Sequence, residues 1–201
     1  MRGRFIVIEG MDGAGTTTQT NRLRAYLESV GHKVYATSEP TAHVVGKTIR
    51  GYLSGHSENK NLKATLALLF AADRLLHYDE DIAPKLEAGI DVISDRYVLS
   101  SLVYQGLDLP TQWVTSLNQF AAAPDLTLVL DVPLDATAAR LASRGGEREI
   151  FEHAQLQASI KNRYVKLAEG PNVALVDGHG EIEAVSARIV EVVRPIFEKK
   201  Q

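Results

Sequence analysis

No cysteine occurs in the 201-residue chain, which excludes disulfide bonds and thiolate metal centres and fits a reducing compartment. No apolar run approaches the roughly 18 residues needed to span a bilayer. Met1-Arg2-Gly3-Arg4 leads directly into an apolar stretch, so no signal peptide is expected. No charge of one sign dominates: the formal net charge is −3, and the chain as a whole advertises neither nucleic-acid nor membrane binding. The histidines, at 32, 43, 56, 77, 153 and 179, show no ligand spacing, and no Ser/His/Asp order stands out, so no histidine metal centre is expected. Internal repeats, linkers and low-complexity segments are missing too. These absences leave the expectation of a cytoplasmic protein with one domain over 1–201, long enough to bury a core unaided.

What is present is an alternation of strand and helix signals. Apolar runs read as strands near 5–9, 33–38, 91–94, 126–131 and 172–176. Between them lie helical patterns: Leu23, Tyr26, Leu27 and Val30, then a long stretch from Leu62 to Leu86, then Ile182 to Ile196 along one face. Alternation of this kind implies an α/β fold, a five-stranded parallel sheet with right-handed crossovers and helices on both faces. Ligands gather beyond the carboxyl ends of such strands. Residues 10–17, Glu39-Pro40, Asp95-Arg96 and Asp131 each follow a strand directly, so they are expected to cluster at one edge.

The first of these segments is Gly10-Met11-Asp12-Gly13-Ala14-Gly15-Thr16-Thr17. Strand, glycine-rich turn and helix form the context in which G-x-x-x-x-G-K-[ST] wraps nucleotide phosphates. Glycine lets backbone N–H groups converge on an anion, and the positive end of the next helix favours the same charge. A tight turn that needs glycine is the plainer alternative. The lysine of the pattern is missing: Thr16 occupies its slot, while Thr17 keeps the hydroxyl that would hold Mg²⁺. Asp95 is placed like the acid that helps such a hydroxyl hold the metal.

Other residues each admit two readings. Arg74 and Arg96 suit bidentate phosphate contacts, or form surface salt bridges. Arg140, Arg144 and Arg148, with Gly145-Gly146 between the last two, read as a basic lid near 141–151 that closes over a triphosphate, or as a solvated helix face. Asp12 would repel phosphate unless it meets a cation or points to a second ligand, accepting from a sugar hydroxyl or approaching Mg²⁺ through water. Phe70 stacks on a base or fills core. Ser100, Ser101, Tyr104 and Gln105 share one helical turn, as a base-reading set or a polar surface.

Taken in order, these motifs resemble the thymidylate kinase family along nearly the whole chain. The carriers are residues 5–13 with their acid-bearing phosphate loop, Glu39-Pro40, Phe70-Ala71-Ala72-Asp73-Arg74-Leu75-Leu76-His77, Asp95-Arg96-Tyr97 with the polar helix after it, and Arg144 to Glu152. The resemblance implies a P-loop NTPase fold and transfer of the γ-phosphate of ATP, bound with Mg²⁺, onto dTMP. It implies that Gly10, Met11, Asp12, Gly13, Ala14, Gly15, Thr16, Thr17 and Thr18 bind ATP, and that Thr17 and Asp95 hold the metal. On the acceptor side it assigns Phe70 to stacking on thymine and Ser101 and Gln105 to the base edge. Arg74 and Arg96 would hold the acceptor phosphate, with Glu39 nearby. Tyr104 would crowd the position of a ribose 2′-hydroxyl, and Asp12 would meet the 3′-hydroxyl. Asp12, Arg96, Arg144 and Arg148 would be the catalytic group, the lid supplying the cation that the loop lacks. A homodimer through the long central helices is implied as well. Thr16 departs from the family pattern, as does Thr41 after Glu39-Pro40. A catalytically silent nucleotide-binding protein, or a kinase for another nucleoside monophosphate, remain the alternatives.

Overall fold

The computed structural model describes residues 2–55, 59–142 and 150–198. Five strands, β1 (Phe5–Gly10), β2 (Val34–Ser38), β3 (Asp91–Asp95), β4 (Leu126–Asp131) and β5 (Val173–Asp177), form one sheet in the order β2-β3-β1-β4-β5. Every pairing is parallel, and each strand lies within one residue of its expected bounds at either end. The connecting helices are α1 (Thr16–Ser29), α2 (Val44–Ser54), α3 (Leu62–His77), α4 (Ala83–Glu87), α5 (Val98–Tyr104), α6 (Thr111–Leu117), α7 (Leu134–Ala142), α8 (Ile150–Leu167) and α9 (Ile182–Glu198). Among the described residues no helix is long and apolar enough to cross a membrane.

The central strand explains the layering. All six residues of β1 are buried, as a parallel strand covered on both faces requires. Phe5 and Val7 face a core built with Val92, Tyr97, Ile82 and Leu86. Ile6 and Ile8 face the larger core, to which α1 contributes Leu23 and Leu27 and α9 contributes Ile189 and Val193. Each such aliphatic side chain contributes about 1.5–3 kcal/mol when fully buried. The long helix expected from Leu62 to Leu86 is interrupted: α3 ends at His77, a π-helical turn covers Tyr78–Ile82, and α4 follows. Pro84 is the physical reason. It has no N–H for the carbonyl four residues back, and the widened turn absorbs the mismatch immediately before it.

Register levels the functional edge. Ile8 of β1 and Ser38 of β2 both pair with Asp95 of β3, and Gly10 pairs with Leu130 of β4. The β2–α2 connection begins with a cis Glu39–Pro40 bond and is fastened to α3. Asp73, buried, accepts from Thr41 N at 2.7 Å and from Thr41 Oγ1 at 2.6 Å. Arg50 of α2 donates to the carbonyls of Pro40 and Thr41. Gly46 completes the joint, because a Cβ there would fall 2.1 Å from Thr41 O.

This contact gives a paired prediction within one helix. Gly46→Ala forces the Thr41 backbone outward and is expected to destabilise the fold by roughly 1–3 kcal/mol. Gly51→Ala, where a Cβ meets nothing within 4 Å, is expected to stabilise it by about 0.5–1 kcal/mol. Urea denaturation of both variants reads the signs; destabilisation of the same size in each would mean that the joint at Thr41 is not tight.

Candidate active site

The turn after β1 has the geometry of a phosphate cradle. Gly13 and Gly15 adopt φ of 82° and 88°, a left-handed conformation that glycine enters without steric cost. Ala14 N donates to Met11 O at 3.0 Å, which closes the turn. Gly15 then caps α1, whose first amides lack intrahelical acceptors and carry the positive end of the helix dipole. Thr16 is buried. Its Cγ2 lies 3.2 Å from where a Cβ of Gly10 would stand, so the residue in the lysine slot packs against the loop's own start. Thr17 Oγ1 donates to Asp95 Oδ2 at 2.5 Å, bringing together the two expected metal-holding residues. Asp95 Oδ1 is buried with no hydrogen-bond partner among the described residues. A hydroxyl beside an unpartnered carboxylate oxygen, at a helix N-terminus, fits Mg²⁺, whose other positions go to water and phosphate.

Arg96 joins this loop to the rest of the site. Its φ is 76°, uncommon for a residue with a side chain. The conformation carries the guanidinium back over β1: Nη1 donates to Gly10 O at 3.0 Å and Nη2 to Asp12 Oδ1 at 2.7 Å. Nη1 also reaches Ser100 Oγ at 3.2 Å and Tyr164 Oη at 3.3 Å. Asp12, odd in an anion-binding loop, is thus paired with a cation. Tyr104 packs under the guanidinium, with Arg96 Cζ 5.5 Å from its ring centre, and its hydroxyl accepts from Asp12 N at 3.1 Å. Burial opposes the Arg96 charge, but the neighbouring Tyr164, Tyr104, Asp12 and Glu9 outweigh it and raise its pKa above the ordinary value. Burial pushes the Tyr104 phenol up to about 12 and the Tyr164 phenol well above its usual range.

Beside this cluster is a cavity of about 290 Å³, at the small end for a ligand site. Eight residues expected on the acceptor side line it together: Asp12, Glu39, Phe70, Arg74, Arg96, Ser101, Tyr104 and Gln105. Gln105 lies one step past the end of α5, in a 3₁₀ turn over Gln105–Leu107. Arg74 lines the cavity and is not the surface ion pair of the plainer reading. Its side chain is 1% exposed, with Nη2 2.8 Å from Glu39 Oε2. It donates further to Tyr97 O at 2.9 Å and to Asn118 Oδ1. Glu39 is held from its other oxygen by His77, 3.2 Å away, and His77 meets Thr37 Oγ1 at 2.7 Å. Asp131, at the end of β4, is paired with Lys161 at 2.7 Å and does not line this cavity.

Leu53, which walls the cavity, and Asn118, which meets Arg74 beneath it, carried no signal in the reading of the sequence; Pro40 and His77 belong to motifs that did. Glu9 did carry one, a carboxylate inside an otherwise apolar strand, which must find partners when buried. It is fully buried, and burial raises its pKa against the opposing pull of Ser100, Arg96 and the amide of Tyr97. Tyr164 comes from α8, far along the chain. Arg144 and Arg148, with Gly145-Gly146, lie outside the described residues, as does the side chain of Arg140.

The comparisons agree with this geometry. A family model described as "Thymidylate kinase" matches residues 8–189. The chain is 41% identical over 203 residues to a probable thymidylate kinase of Thermococcus kodakarensis, covering 96% of this chain and 98% of that protein. It is 41% identical over 201 residues to one of Pyrococcus horikoshii, covering 96% and 97%. A third, from Thermococcus gammatolerans, is 43% identical over 201 residues, covering 95% and 96%. With a family model matched over most of its length and relatives about 40% identical along nearly the whole chain, the protein belongs to the thymidylate kinase family.

Proposed function

We propose that the protein transfers the γ-phosphate of ATP to dTMP, giving dTDP, with ATP on the phosphate loop and dTMP in the cavity lined by Phe70, Ser101, Tyr104 and Gln105. The observation that carries this reading is the Asp12–Arg96 pair at 2.7 Å, because it belongs at once to the loop and to the cavity. A group held by Arg96 sits next to a group held by the loop, as in-line phosphoryl transfer requires.

The roles follow from placement. Arg96 grips the acceptor phosphate, and Arg74, sealed under the cavity by Glu39, adds positive charge from below. Phe70 offers its ring to the base, and Ser101 and Gln105 offer a hydroxyl and an amide to its edge. Tyr104 fills the space next to the sugar and disfavours a ribose, while Asp12 accepts from the 3′-hydroxyl. Thr17 and Asp95 hold Mg²⁺, which when bound neutralises charge on the transferring phosphoryl group. Arg148 and then Arg144 supply the cation that Thr16 cannot. The absence of cysteine fits a cytoplasmic setting. Leu68, Leu75 and Leu76, exposed along one side of α3, support a homodimer through that helix.

A coupled ADP-release assay with dTMP, dUMP, CMP and AMP tests the acceptor assignment. The expected order has dTMP first, and a ribonucleotide turned over faster would transfer the reading to another monophosphate. Arg96→Ala is expected to lower kcat/KM for dTMP by about 10²-fold or more, with KM for ATP nearly unchanged. An equal rise in both KM values would move Arg96 to the donor side.

Thr16 supports a competing reading, a nucleotide-binding protein without turnover. A lost preorganised donor costs on the order of 10²–10³ in rate, so compensation by the lid arginines predicts measurable turnover in the wild type. It predicts a further drop of roughly 10²-fold in Arg148→Ala, and a Thr16→Lys variant that stays active. Binding of both nucleotides without transfer, cured by Thr16→Lys, would establish the silent reading instead.

A further inference from the structure

Glu9 is the one ionisable side chain inside β1, and no step of the proposed transfer uses it. Its two oxygens are nevertheless fully engaged. Oε1 accepts from the backbone amides of Tyr97 at 2.9 Å and Ser100 at 3.1 Å. Oε2 faces two hydroxyls, Ser100 Oγ at 2.6 Å and Tyr164 Oη at 3.3 Å. Those same hydroxyl oxygens lie 3.2 and 3.3 Å from Arg96 Nη1. An arginine nitrogen only donates and a carboxylate only accepts. The two hydroxyl oxygens also lie 3.0 Å from each other, so Ser100 directs its hydrogen to Glu9, Tyr164 directs its own to Glu9 or to Ser100 Oγ, and both turn lone pairs towards Arg96.

We propose that Glu9 is the positioning residue for Arg96: buried in β1, it orients the Ser100 and Tyr164 hydroxyls so that both present oxygen to the guanidinium and hold it over the phosphate loop. The inference rests on the reading of Arg96 as the acceptor-phosphate residue, and it deepens that reading. Arg96 has an unfavourable φ and a side chain 20% exposed beside an exposed partner, Asp12. The Asp12 contact alone is a partly solvated pair, a weak constraint on a long side chain. The two oriented hydroxyls and Gly10 O supply the constraint from the buried side. Tyr164 also brings α8 into the assembly, so the helix that follows the basic segment and the strand that precedes the phosphate loop meet on one guanidinium.

Glu9→Gln tests this with almost no change of shape. Two backbone N–H groups fix the amide oxygen at the Oε1 position, so the –NH₂ must occupy the place of Oε2. It then donates to the hydroxyl oxygens, and a hydroxyl hydrogen is driven towards Arg96. The expected result is a folded protein in which KM for dTMP rises by at least about 10-fold while KM for ATP moves by less than about 2-fold. Tyr164→Phe keeps the ring and removes one oxygen, so it is expected to raise KM for dTMP more modestly. Combining it with Glu9→Gln should give less than the product of the two effects, since the misdirected hydroxyl is gone. Equal changes in both KM values, an unchanged KM for dTMP, or a multiplicative double variant would overturn the proposal.

A second readout needs no substrate. In protein carrying ¹⁵N-labelled arginine, the Nη resonances of Arg96, assigned by their loss in Arg96→Lys, are expected to be resolved by slow guanidinium rotation. They should collapse in Glu9→Gln. Resonances unaltered by Glu9→Gln would sink the positioning role even if dTMP proved the wrong acceptor, whereas a wild type inert to dTMP with the collapse observed would overturn the substrate and leave the role intact. Should Glu9→Gln fail to fold, Tyr164→Phe and Ser100→Ala decide the matter: unchanged Arg96 resonances in both would refute it.

Discussion

Three strands of the sheet finish at one level, and each brings a buried acid there. Glu9 is 0% exposed, Glu39 6% and Asp95 8%, and the pairing of Asp95 with both Ile8 and Ser38 places them along a single edge. Buried carboxylates side by side are costly unless donors or cations meet every one. The edge answers in three ways. Glu9 takes two amides, two hydroxyls and the nearby Arg96; Glu39 takes Arg74 and His77; Asp95 takes the hydroxyl of Thr17. The rest of the site follows from these solutions, because Arg74, Arg96, Tyr97 and Ser100, all partners of an acid, line the cavity, and Thr17 opens the helix after the loop.

An acidic edge is therefore what fixes the cations around the cavity: Glu39 holds Arg74, and Asp12 and Glu9 flank Arg96. The α3 helix illustrates the principle. Asp73 and Arg74, adjacent in sequence, bind opposite partners on the same loop, Thr41 and Glu39, so the helix that carries Phe70 has a single docking position. Breaking one partner out of a buried pair of this kind costs about 3–5 kcal/mol, more than most surface changes together. Rigid placement of Arg74 is the return on that investment, and it explains why this arginine is sealed under the cavity floor rather than offered to solvent.

The sheet was legible because both faces of a parallel strand are covered, leaving continuous apolar runs such as Leu126 to Leu130 that composition alone marks. Residues lining the cavity were legible too, since Asp12, Glu39 and Arg96 each lie just after a strand's carboxyl end. The failures have physical causes. Pro84 was in plain view, and the π-helical turn before it was missed because apolar periodicity is blind to a lost backbone donor. Arg74 gave no sign of burial: its acceptors, Glu39, Asn118 and the carbonyl of Tyr97, are assembled only by the tertiary fold. Tyr164 is the extreme case. It is separated from Glu9 by 155 positions, and on α8 it has the spacing of any core residue.

The neutral Thr16 gives these arrangements their last consequence. Side chains of the loop contribute no net charge: Asp12 is matched by Arg96, and Thr16, Thr17 and Thr18 are uncharged. The positive potential of the loop thus comes from the first amides of α1, worth about half an elementary charge at the helix terminus. Two unit charges 4 Å apart interact by about 4 kcal/mol at an effective dielectric of 20, so any cation that enters this neutral loop acts with little competition. Arg96 is already fixed beside it, shared between Gly10 O and Asp12. Any anion drawn to that guanidinium has to compete with the Asp12 carboxylate for it, so the 2.7 Å pair sets the electrostatic threshold for binding at this edge.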